Sequence, residues 1–169
     1  MKKILCLLLL LLCITTINAQ RPDTVKGVPH FKLLKQDSTY TTDANLKKGK
    51  AVMIIYFSPD CPHCQKLTYE MQDEFKKEAK EHSTTLKQIQ IVMATFTELK
   101  PMQVFYRDFG LVKYPNITLG TEGRTYTLLT FYHVHTTPFI AIYSKTGQLI
   151  KTFDKPAPLE DIMVVLKKV

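Results

Sequence analysis

The residues of this chain best equipped for chemistry are two cysteines held two positions apart, in Cys61-Pro62-His63-Cys64. Thiols at that spacing serve as a dithiol–disulfide couple, as half of a zinc site, or as the attachment point of a haem. Covalent haem needs a histidine directly after the second cysteine, and Gln65 stands there instead. Zinc would have to be completed by His133 and His135. His-x-His is not the usual spacing of roughly three to five residues, and the chain offers no second cysteine pair. Exchange between dithiol and disulfide is therefore the chemistry expected of the pair, with no metal and no cofactor.

The first residues read as an address. Lys2 and Lys3 precede an uncharged apolar run from Ile4 to Ile17, and Asn18-Ala19 before Gln20 resembles a cleavage site. The run is shorter than the roughly 20 residues a membrane-spanning helix needs, so residues 1–19 are expected to be a secretory signal peptide. An uncleaved anchor is the alternative, and only then does the chain meet the membrane. Leu12 before Cys13 argues against a lipoprotein signal. Export changes the cysteine arithmetic, because of four cysteines Cys6 and Cys13 leave with the leader. A bridge between the remaining two closes a tiny loop and removes little entropy from the unfolded chain. In a compartment where disulfides persist, such a pair makes better sense as a redox couple than as a staple. The expected location is the periplasm of a Gram-negative source, or otherwise an extracytoplasmic compartment.

What remains, about 150 residues, suits one domain with one substantial core. The net charge of +8 falls to +6 once Lys2 and Lys3 leave, and the surplus is interleaved with acids, as in Lys76-Lys77-Glu78. Such mixing reads as solvated helix surface. Nothing resembles the basic arm or aromatic-interleaved patch of a nucleic-acid binder, so no nucleic acid is expected as a partner.

The elements that must position the pair follow from periodicity. Residues 20–29 read as a loose N-terminal segment ahead of a single domain over 30–169. Phe31–Leu34 and Ser38–Thr42 suggest a hairpin around Gln36-Asp37. Ala51–Phe57 is an unbroken apolar run, as expected of a strand buried on both faces. Cys64, Leu67, Met71, Phe75 and Ala79 then recur at helical spacing to about His82. Further expectations are a strand over Gln88–Phe96, a helix over Glu98–Phe109 and a short strand at Ile117–Leu119. A short helix over Tyr126–His133, a hairpin of Phe139–Tyr143 with Leu149–Phe153, and a closing helix over Leu159–Lys168 complete the chain. Strands alternating with helices predict a mixed sheet with helices on both faces.

This order puts Cys61 between the buried strand and a helix. Its sulfur would face the free N–H groups and positive end of the helix dipole, which favour thiolate, the attacking species. Cys64, one turn on, falls on the apolar face and is expected to be the resolving thiol. Pro62 suits the first helical turn. His63 is expected to tune the couple by its charge or by hydrogen bonding, while Asp60 opposes thiolate formation.

Phe57-Ser58-Pro59-Asp60-Cys61-Pro62-His63-Cys64, Leu46-Lys47-Lys48-Gly49-Lys50 and Tyr132-His133-Val134-His135-Thr136-Thr137-Pro138-Phe139 together resemble the thioredoxin superfamily. The nearest branch is that of exported TlpA-like and ResA-like thiol–disulfide oxidoreductases. The resemblance spans about residues 30 to 169. It implies an α/β thioredoxin-like fold with an N-terminal β-hairpin extension, and protein thiols or disulfides as substrates, served by a separate redox partner protein. It also implies a cis peptide bond before Pro138, with Thr137 and Pro138 docking the substrate chain beside the cysteines. Besides Phe139, which follows the proline where relatives often have Thr, two departures bear on the chemistry. Asp60 stands where many relatives have Trp, and Ile55 occupies the place of a buried acid that accepts the proton of the second cysteine.

Two other functions fit less well. One is a binding module or chaperone adaptor on the same fold with dispensable cysteines. The other is peroxide reduction, whose Thr-x-x-Cys pattern is not met because Ser58 lies three before Cys61.

Overall fold

The computed structural model describes residues 27–81 and 85–169, so the expected leader lies outside the described residues. Among the described residues, seven strands form one sheet: β1 (Lys32–Lys35), β2 (Tyr40–Thr42), β3 (Val52–Tyr56), β4 (Gln90–Thr95), β5 (Ile117–Thr121), β6 (Phe139–Tyr143) and β7 (Leu149–Phe153). Their spatial order is β2-β1-β5-β4-β3-β6-β7. β3, β4 and β5 run parallel, whereas β6 and β7 on one side and the β1–β2 hairpin on the other are antiparallel. The α-helices among the described residues are α1 (Pro62–Glu81), α2 (Thr85–Gln88), α3 (Leu99–Asp108), α4 (Thr127–Phe131) and α5 (Leu159–Leu166).

The apolar run Ala51–Phe57 is buried throughout because it lies between two cores. Side chains alternate across a strand, so Met53, Ile55 and Phe57 face one way and Val52, Ile54 and Tyr56 the other. The first set packs with Leu67 and Met71 of α1, Met102 and Phe105 of α3, and Ile162 and Leu166 of α5. The second set packs with Leu128 of α4, with Phe31 and with Tyr143. The expected mixed sheet, covered on both faces and extended by an N-terminal hairpin, is the observed one. Of the segment read as loose, residues 27–29 are described, and Pro29 among them is buried.

Several boundaries moved for identifiable reasons. The strand expected from Gln88 begins at Gln90, because the preceding residues form α2. Buried Glu78 caps that turn, its carboxylate accepting the backbone N–H groups of Leu86 at 2.7 Å and Lys87 at 3.3 Å. β5 runs on to Thr121, paired with β4 on one side and with β1 on the other. A glycine is required there, since a Cβ on Gly120 would lie 2.7 Å from Leu33 Cβ. α4 is shorter than the expected Tyr126–His133. Tyr126 and His133 adopt left-handed φ values of 49° and 50°, which stop the helix at both ends.

One end of the sheet gathers the loops that carry Cys61 and Pro138. Tyr56 lies opposite both Ala94 and Phe139, so the chain leaving β3 toward Cys61 emerges beside the chain entering β6 from Pro138.

Candidate active site

After β3, the Phe57 N–H still bonds to Ala94 O at 2.9 Å, and then the chain turns, with Cys61 N–H donating to Ser58 O at 3.1 Å. The Cys61 carbonyl accepts N–H groups from both Cys64 and Gln65, each at 3.0 Å, which opens α1. Pro62 occupies the first helical position, where its missing N–H would have had no partner inside the helix. Cys61 therefore sits in the helix-cap position. Its sulfur accepts the Cys64 N–H at 3.3 Å, the bond that a serine or aspartate oxygen makes at ordinary helix starts.

The two thiols are unequal. Cys61 is half-buried, while Cys64 is 1% exposed and packs in the core with Leu67 and Met71. Burial pushes the Cys61 thiol up, but hydrogen bonds from the side chains of Cys64 and Thr137 and from the backbone N–H groups of Cys64 and His63 outweigh it. The net effect holds Cys61 below the ordinary cysteine value. Burial first, and the hydrogen bond with Cys61 second, push the Cys64 thiol up to about 12.

The Thr137–Pro138 peptide bond is cis, as the resemblance implied. Pro138 is buried, and Cys61 Sγ donates to the Thr137 carbonyl at 3.3 Å. The structure thus brings Cys61, Cys64, Thr137 and Pro138 to one place. Asp60, Pro62 and His63 flank the pair as exposed side chains, and the bond that His63 gives Cys61 comes from its main chain. His133 and His135 are exposed in the loop that leads to Thr137. Ile55, in the place of the buried acid, is 1% exposed among apolar neighbours. Among the described residues no group of three or more His, Cys, Asp or Glu side chains is gathered to hold a metal.

Two further residues escaped the sequence reading. Glu122, 5% exposed, accepts the Tyr56 hydroxyl at 2.6 Å and the N–H groups of Leu128 at 2.7 Å and Leu129 at 3.3 Å. It joins the end of β3 to the start of α4, on the sheet face opposite Cys64. Gln65 donates its side-chain amide to the Pro59 carbonyl at 2.8 Å. Neither has a signal in spacing or composition, because each bond depends on a partner that only the fold supplies.

A family model for the thioredoxin-like domain matches residues 40–163. No curated protein matches the chain. Among solved structures, a secreted disulfide oxidoreductase of Mycobacterium tuberculosis, described as homologous to E. coli DsbE, superposes with a TM-score of 0.65 at 15% identity, covering 82% of this chain and 96% of its own. A thiol-disulfide oxidoreductase from Bacteroides fragilis gives a TM-score of 0.65 at 13% identity, over 85% and 98% of the two chains. StoA from Bacillus subtilis gives 0.57 at 17% identity, over 85% and 98%. At such identities the likeness is one of fold.

Proposed function

The chain belongs to the thioredoxin-like domain family, and on that premise we propose that it is an exported thiol–disulfide oxidoreductase acting on protein substrates through Cys61 and Cys64. The observation that carries the reading is the inequality of the two thiols: Cys61 sulfur at the helix cap, held toward thiolate, and Cys64 buried and held as thiol. Export is supported by the expected leader, and by a neighbour in fold that is described as secreted.

In the reductive direction, the Cys61 thiolate attacks one sulfur of a substrate disulfide. That S–S bond breaks, its electron pair leaves on the second substrate sulfur, and a Cys61–substrate mixed disulfide forms. The negative charge of Cys61 is then gone, and with it part of what kept the proton on Cys64. Cys64 loses that proton, attacks Cys61 Sγ, closes the Cys61–Cys64 disulfide and expels the first substrate sulfur as thiolate. A redox partner protein returns two electrons to the pair, and the same steps reversed oxidise a substrate. Thr137 and Pro138 are assigned to docking the substrate main chain beside Cys61. Pro62, His63 and Asp60 are assigned to setting the potential, with His63 favouring the thiolate and Asp60 opposing it.

The test is disulfide exchange with a model protein substrate. Cys61→Ser is expected to abolish turnover, and Cys64→Ser to accumulate covalent mixed disulfides on Cys61. Undiminished exchange in both variants would overturn the reading in favour of a binding module.

A further inference from the structure

The turn that delivers Cys61 to the helix receives a hydrogen bond from a side chain of that helix. Within Ser58–Cys61, the Ser58 carbonyl accepts the Cys61 N–H, and the Cys61 carbonyl accepts two helical N–H groups. The Pro59 carbonyl is met from outside the backbone, by Gln65 Nε2 at 2.8 Å. Helical side chains lean toward the N-terminus, so a residue in the second turn of α1 reaches back over the first one onto this loop. Pro59 is itself buried and has no N–H to contribute. Without the amide, its carbonyl must turn toward water, rotating a peptide plane that lies next to Asp60 and one residue from Cys61. The contacts on the sulfur leave little slack. The Cys64 N–H and the Thr137 carbonyl both lie 3.3 Å from Cys61 Sγ.

We propose that Gln65 is a positioning residue, whose side-chain amide holds the Ser58–Cys61 turn so that the Cys61 sulfur stays over the first N–H groups of α1. The inference deepens the redox reading of Cys61 and rests on it. Gln65 acts through Pro59 and touches neither sulfur in this arrangement. A side chain that merely stabilised the start of α1 would change the melting temperature and leave the titration of Cys61 alone.

The experiment measures the rate of iodoacetamide alkylation of the reduced protein against pH, for wild type, Gln65→Met and Gln65→Ala. Methionine keeps the length and helix propensity of glutamine without the donor, so it decides the matter if the alanine variant fails to fold. The midpoint is expected to rise in both, lowering the thiolate-to-thiol ratio about threefold, the scale of one weakened hydrogen bond. Equilibration with glutathione above the alkylation midpoint is expected to leave up to about threefold more of the couple as disulfide, because there the reduced form is mainly thiolate and a destabilised thiolate destabilises it. A midpoint that is unchanged or lowered, with or without a fall in melting temperature, overturns the proposal. The redox reading stands or falls separately: a raised midpoint in Gln65→Met, with no Cys61–Cys64 disulfide formed by wild type, would uphold the tether and refute the exchange reaction.

Discussion

Cys61 Sγ and the carbonyl oxygen of Thr137 lie 3.3 Å apart although 76 positions separate the two residues in the chain. The contact exists because β3 and β6 are neighbours, and their antiparallel pairing of Tyr56 with Phe139 brings the end of one strand beside the start of the other. Cys61 and the main chain at Thr137 thereby share one rim of the sheet. Both are held by elements that are buried on both faces.

Alkylation should single out Cys61. Its thiol is held below the ordinary cysteine value and is half-exposed, whereas Cys64 is buried and pushed up to about 12. At pH 7 iodoacetamide is expected to place one adduct, on Cys61, in the folded, reduced protein prepared without residues 1–19, which carry Cys6 and Cys13. Cys61→Ser should take up reagent only once denatured. Mass spectrometry reads both, and prompt labelling of Cys64 in the folded protein would contradict the assignment of roles.

The reduced protein should lose stability in alkali partly through Cys64. Its folded pKa, about 12, lies above the roughly 8.5 of an unfolded thiol. A group raised on folding contributes stability that is complete below the unfolded value and is lost as pH rises through the folded one. Between about pH 9 and 12 the denaturation midpoint of wild type is expected to fall more steeply than that of Cys64→Ala. The phenols of Tyr56 and Tyr132, both pushed up by burial first, act in the same sense in both proteins, so the difference isolates the thiol. Parallel slopes would rule the effect out.

Gly120→Ala should loosen the N-terminal hairpin. The new methyl would lie 2.7 Å from Leu33 Cβ and 3.2 Å from the Leu34 carbonyl, so β1 must shift off β5. Overpacking of this kind costs about 1–3 kcal/mol. Urea denaturation is expected to show that loss, while the alkylation rate of Cys61 stays near wild type because the hairpin lies beyond β5 and β4 from β3.

Removing the buried carboxylate should cost more than removing its phenolic partner. Glu122→Ala leaves the Tyr56 hydroxyl and the Leu128 N–H unpaired in the core, whereas Tyr56→Phe removes one donor from a carboxylate that keeps two others. We expect about 2–4 kcal/mol for the first and about 1–2 for the second. The double variant should fall well short of their sum, since the two changes share one hydrogen bond. Additive losses in a double-mutant cycle would show that the pair is not coupled.

Much of this protein was legible in its sequence. The apolar run Ala51–Phe57, the helical spacing that begins at Cys64 and the terminal hairpin and helix are local periodicities, and local periodicity follows from which faces an element must bury. The unequal positions of Cys61 and Cys64 were legible for the same reason, because a strand followed by a helix places one thiol at the helix start and the other on the buried apolar face. Tertiary structure alone decided the rest. Glu122 is a buried carboxylate only because Tyr56, 66 positions earlier, and the start of α4 meet it. Gln65 is more than the residue that excludes haem only because Pro59 turns its carbonyl toward it. Periodicity reports which way a side chain faces, whereas a hydrogen bond also needs the position of its partner, and that position is fixed when the sheet and its loops close together.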